Sequence, residues 1–176
     1  HMLKSHFRLL LFLLLAVGSS ACMRRATYSA TEQSGIDPTE NREEKTKAGE
    51  TILIGPTTRV AFEKKPYSTW FHPAYLRYNP NAKIMEELRP LLENVSIKAF
   101  MGTWCIDSQR DLPRFYKVLD QARFPYSRLE IISLREDKTG LAGEEKADQV
   151  TAVPTFILYR EGKELEFKLI KLDRKR

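Results

Sequence analysis

The sequence predicts an α/β fold, a mixed central sheet flanked by helices, and three observations carry that prediction. Short apolar runs alternate with helical spacing: "VSIKAF" precedes a helical stretch over 106–121, and "RLEIISL" follows it. That order gives a parallel strand pair joined by a right-handed crossover. A second pair of strand-like runs brackets Glu161-Gly162 in "TAVPTFILYREGKELEFKLIKL", a hairpin signal that adds antiparallel strands. The length of 176 residues suits one hydrophobic core and is too short for two comfortable ones.

Taken in order, the chain begins with a segment that is not part of that fold. After His1 and Met2 come Lys4 and Arg8, then the apolar run "LLLFLLLAVG", then "SSAC" ending at Cys22. A basic start, a short apolar stretch and small residues before a cut site describe a secretory signal peptide over 1–22, too short for a comfortable membrane span. With a cysteine at the cut site, the segment resembles a bacterial lipoprotein signal. Ser19 stands where that family usually has Leu, and ordinary cleavage near Ala21 is the alternative. The resemblance implies that Cys22 is the lipidation site, which would place the protein in the cell envelope, lipid-anchored to a membrane and facing the periplasm or exterior. Acylation would also leave Cys105 as the one free thiol of the mature chain.

Residues 23–50 are polar, charged and without apolar periodicity, and the sequence predicts a flexible tether there. The folded domain is expected over 51–176. It opens with "TILIGPTTRVAFEK", a strand-like run interrupted at Gly55-Pro56. An aromatic cluster of Tyr67, Trp70, Phe71, Tyr75 and Tyr78 follows and reads as a packed lid over the core. Ile84, Leu88, Leu91 and Leu92 then recur at helical spacing. After "RLEIISL", the stretch "REDKTGLAGEEKADQV" reads as a polar loop with a weak helix.

The formal net charge is +6, contributed visibly by the signal, by Arg24 and Arg25, and by the terminal "KLDRKR". No basic stripe interleaved with aromatics appears, so the charge reads as solubility and attraction to anionic headgroups, with no nucleic acid as partner. His6 lies in the signal and His72 in the aromatic segment, which supports neither a metal site nor a Cys-His nucleophile pair. No glycine-rich phosphate loop is present, and no cofactor is implied.

The chemistry centres on "MGTWCIDSQRDLPRF", residues 101–115. A cysteine just after a strand and at the first turn of a helix faces unpaired backbone amides and the positive end of the helix dipole, and both stabilise a thiolate. The other reading of Cys105 is a buried small hydrophobe. Position alone leaves both open.

The stretch Trp104-Cys105-Ile106-Asp107-Ser108, followed by Asp111 and Pro113, resembles the active-site motif of the thioredoxin-like superfamily. It is closest to the exported, membrane-anchored branch, whose motif runs Trp-Cys-x-x-Cys and then acid-x-Pro. "TAVPTFILYREGKEL" resembles the same superfamily's second signature, a cis-proline loop entering an antiparallel hairpin. The resemblance implies a thioredoxin-like fold with an N-terminal extension. It also makes Cys105 the attacking thiol, Trp104 its aromatic shield, and Val153 and Pro154 the loop that pairs with substrate. Asp111 matches an acidic residue near the active site in that branch, and a solvated helix carboxylate is its other reading. In this family a last helix covers one sheet face, and here the sequence reaches Arg176 just after the hairpin. The expectation is either a missing last helix or a face covered by the aromatic segment.

Ser108 replaces the second cysteine of the motif. A dithiol reductase attacks with one sulfur and releases product with the other, so a monothiol protein halts at the mixed disulfide unless an outside thiol resolves it. Ser108 lies on the same helix face as Cys105, where its hydroxyl could donate to the thiolate, while the Asp107 carboxylate would oppose a second negative charge. The function expected is thiol-disulfide exchange through Cys105 with protein or small-molecule disulfides and thiols as partners. The alternative is a non-catalytic peptide- or protein-binding module that keeps the groove and has lost turnover.

Overall fold

The computed structural model describes residues 39–165. The expected signal peptide, Cys22, the first part of the expected tether and the last-helix expectation lie outside the described residues.

Strands β1 (Arg42–Lys45), β2 (Thr51–Pro56), β3 (Val95–Met101), β4 (Leu129–Ser133), β5 (Thr155–Arg160) and β6 (Lys163–Glu164) form one sheet in the order β1-β2-β4-β3-β5-β6. β3 and β4 pair in parallel, with Ala99 opposite Ile131, and the remaining pairs are antiparallel. The parallel pair is the one expected from the strand, helix, strand pattern. The expected hairpin is also present: Tyr159 faces Glu164 and Arg160 faces Lys163 across the turn. Its two central residues, Glu161 and Gly162, have φ of 51° and 75°, the positive pair that a two-residue type I′ turn needs.

Helices α1 (Arg59–Phe62), α2 (Ser68–Arg77) and α3 (Ala82–Leu91) lie between β2 and β3, and α4 (Ile106–Ala122) connects β3 to β4. Ser108, Asp111, Leu112, Phe115, Tyr116, Leu119 and Ala122 are the buried residues of α4 apart from Pro113, and they recur at three- and four-residue steps. Side chains at that spacing share one helix face. Against α4 pack the aromatics of the lid, with Phe71 5.6 Å from Tyr116 and 5.6 Å from Phe62, ring to ring. The lid is itself the helix α2, and Tyr67 and Phe71 are buried.

Alternation along the strands divides the core. Ile97, Ala99, Met101, Ile131 and Phe156 join the cluster beneath the helices, while Phe100, Ile132 and Ile157 join a smaller one with Leu134. Val150 and Val153 pack on that smaller cluster from the loop between β4 and β5, which carries the short helix α5 (Glu144–Ala147). The fold class is therefore mixed α/β, a six-stranded mixed sheet flanked by helices. Among the described residues no helix is long and apolar enough to cross a membrane.

Three expectations differ from the structure. The strand-like run read over "TILIGPTTRVAFEK" ends at Pro56, and Arg59–Phe62 form the helix α1, whose adjacent Ala61 and Phe62 are both buried where a strand's alternation would bury only one. The tether was expected to run to residue 50, yet Arg42–Lys45 form the edge strand β1. Its side chains bury no apolar face that a periodicity would reveal. Polar contacts hold it instead: Glu44 pairs with Arg135 at 2.8 Å, and Glu43 accepts from the Tyr67 hydroxyl at 3.0 Å. In α3 the expected stripe holds in part: Leu92 is buried and Leu88 packs on the core, but Ile84 and Leu91 are 60% and 61% exposed and Met85 is buried in their stead. Positions 84, 88 and 91 and positions 85, 88 and 92 both satisfy helical spacing, so the pattern alone does not fix the phase.

Candidate functional site

The thiol sits where the buried strand β3 gives way to α4. Gly102 follows the strand, and a Cβ there would come within 2.5 Å of the Trp104 indole, so the close approach of that ring requires glycine. Leu53 of β2 donates its N–H to the Thr103 hydroxyl at 3.2 Å, and the Trp104 indole N–H donates to the Leu134 carbonyl at 2.9 Å. The loop is thus tied to the strand on one side and to the end of β4 on the other. Cys105 is the N-cap residue of α4, extended in backbone, and its carbonyl accepts the Gln109 N–H at 2.9 Å.

The Cys105 thiol is half-buried and lies 3.6 Å from the Val153 carbonyl oxygen, toward which it donates. Val153 precedes Pro154 through a cis peptide bond, the isomer the resemblance implied. Pro154 is buried, and the Thr155 hydroxyl donates to the Ala152 carbonyl at 2.7 Å, fixing the loop's exit into β5. The structure therefore brings Cys105 together with Val153, 48 residues away in sequence.

Ser108 is fully buried, and its hydroxyl accepts the Gly102 N–H at 3.2 Å. No hydrogen bond joins it to Cys105 among the described residues, so the hydroxyl serves the backbone of the loop. Asp111 pairs elsewhere than with the thiol. Its side chain is 1% exposed, and Arg110 forks onto it with Nε and Nη2 at 2.6 Å from the two carboxylate oxygens. The third reach of that guanidinium is to Asp107, at 2.9 Å. Asp111, ahead of Asp107, raises the Arg110 guanidinium pKa. Arg110 thus shares its one positive charge between the Asp111 and Asp107 carboxylates.

Arg110 and Gln109 were not singled out in the sequence. Arg110 is three residues from Asp107 and next to Asp111, and helical charge spacing is the signal that points to it. Gln109 donates to the Thr103 carbonyl at 2.7 Å, and nothing in its sequence context marks that bond. His72 pairs with Glu63 on the helical side of the molecule. Among the described residues no group of three or more His, Cys, Asp or Glu side chains could hold a metal ion.

No protein-family model matches this chain, and no curated protein matches it. What the site can do chemically rests on its own geometry: a half-exposed thiol at a helix N-terminus, with no second thiol among the described residues and a serine turned into the loop behind it.

Proposed function

We propose that this chain is an exported, thioredoxin-like monothiol protein that takes part in thiol-disulfide exchange through Cys105, and that an acyl group on Cys22 anchors it to the cell envelope. The observation that carries the reading is the meeting of Cys105 with the Val153 carbonyl, 3.6 Å apart, because the two stretches that resemble the superfamily's signatures adjoin there. The sulfur is half-buried at the N-cap position of α4, and its hydrogen bond to the Val153 carbonyl sets it against the cis-proline loop. The thiolate attacks one sulfur of a disulfide, a Cys105 mixed disulfide forms, and the other sulfur departs as a thiol after taking a proton from water. Ser108 has no sulfur with which to finish the cycle, so an external thiol is required.

The test is a non-reducing gel with intact mass after mixing the protein with a disulfide substrate. The expected result is a covalent adduct on Cys105, absent from Cys105→Ser, and product release without added thiol from a folded Ser108→Cys variant. Native protein that traps no adduct, together with a folded and inactive Ser108→Cys, would replace exchange with the peptide-binding reading.

A further inference from the structure

A groove of about 240 Å³ lies between α3, α4 and the sheet. Ile84, Met85 and Leu88 of α3, Phe115 and Val118 of α4 and Leu158 of β5 line it. Ile84 is 60% exposed, so one apolar wall of the groove stands open among the described residues. The chain leaves the described residues beside it. Leu165, the last of them, donates its N–H to the Leu158 carbonyl at 2.8 Å and packs, like Leu158, on the core cluster beneath the helices. That bond carries the β5–β6 register one residue past the Tyr159–Glu164 pair and makes Leu158 and Leu165 a hydrogen-bonded pair.

We infer that residues 166–169 continue β6 and that Phe167 covers this groove. The next hydrogen-bonded pair in the same register is Phe156 with Phe167, and residues directly opposite each other share a sheet face. Phe156 belongs to the cluster beneath the helices, and its ring centroid is 4.2 Å from that of Phe115, a wall of the groove. Two further residues of strand therefore bring the Phe167 side chain in beside Phe156 and Phe115. The sequence has the pattern such a strand needs: Leu165, Phe167 and Leu169 alternate with Glu166 and Lys168, which would stand on the other face. The inference concerns the tail of the chain and is independent of the exchange reading.

The experiment is amide hydrogen exchange by NMR on the full chain. At a sheet edge alternate N–H groups point inward to the ladder and outward to water, so the Phe167 amide should be protected while those of Glu166 and Lys168 exchange freely. Burying one phenylalanine side chain favours the docked strand by about tenfold or more, and exchange at Phe167 should be slowed by at least that factor. Ile84→Ala and Phe167→Ala should each lower the urea midpoint of unfolding, and the double variant should lower it by less than the two shifts added together. Equal exchange at residues 166, 167 and 168 overturns the inference. Protection that falls away on dilution also overturns it, by placing a second copy of the chain in the groove. Additive midpoint shifts leave a strand that does not reach Ile84 and overturn the packing. None of these results bears on the chemistry of Cys105.

Discussion

Asp111 depends on one neighbour for its place in the interior. Both of its carboxylate oxygens are met by the Arg110 guanidinium, and the carboxylate itself is 1% exposed against 35% for the arginine. Removing the arginine leaves a buried charge with no replacement donor, which costs about 1–3 kcal/mol, while the exposed contact to Asp107 is worth less than about 1. Arg110→Gln should therefore lower the urea midpoint of unfolding, and adding Asp111→Asn should recover part of the loss because the uncompensated charge is gone. An unchanged midpoint for Arg110→Gln would mean that the fork contributes nothing. This pair also shows where residue-level reading stops. Asp111 was singled out only by the resemblance of its stretch to the family motif, and whether its carboxylate was solvated or buried depended on which face of α4 meets the sheet. The same uncertainty applied to Ser108. Its spacing placed it beside the thiol, and the contact made is instead with the Gly102 amide, because a buried loop N–H needs an acceptor.

At the scale of elements, Asp120 joins three pieces of the helical layer. From α4 it accepts hydrogen bonds from Arg59 of α1 at 2.8 Å, from Tyr75 of α2 at 2.6 Å, and from the Tyr126 hydroxyl. Burial pushes its pKa up, but the bonds from Tyr126, Tyr75 and Arg59 outweigh it and hold the carboxyl below the ordinary aspartate value. A folded-state pKa below the unfolded one gives stability that is complete above the unfolded value of about 4 and is lost as pH falls through the folded value. Asp120→Asn is accordingly expected to be less stable than wild type by about 1 kcal/mol at pH 7, with the difference shrinking as the pH falls below about 4. Thermal unfolding across that range decides the matter, and parallel curves for the two proteins would exclude the linkage. Arg59 and Tyr75 were not visible as partners in the sequence, since they lie 61 and 45 residues from Asp120 on other helices. What was visible were the elements whose side chains alternate or recur cleanly: β3, α4, β4 and the β5–β6 hairpin. β1 escaped notice because an edge strand can be held by its backbone ladder and a few ion pairs without an apolar face.

For the whole molecule, the sheet order decides what the site can be. Placing β3 at the centre, between the parallel β4 and the antiparallel β5, sets the N-terminus of α4 beside the loop that enters β5, so Cys105 and Val153 meet without either stretch reaching across the protein. The sequence carried both stretches, and their resemblance to one superfamily supplied the expectation that they adjoin, which neither hydropathy nor spacing could have given. Location is a separate property, and the proposed anchor, Cys22, lies outside the described residues. If Cys22 is acylated on export, the lasting anchor is the acyl chains, because the apolar run before it is removed on processing. A single chain binds a membrane only marginally and two bind it stably. In a bacterial envelope, wild-type protein should therefore sediment with membranes and resist a carbonate wash. Cys22→Ala should either remain unprocessed, at the mass of the precursor, or be cut near Ala21 and appear in the soluble fraction. A Cys22→Ala protein that is processed to the wild-type length and stays with the membrane would exclude lipid anchoring at this residue. The exchange chemistry of Cys105 would be unaffected by that result, since it depends on the helix and loop that surround the thiol.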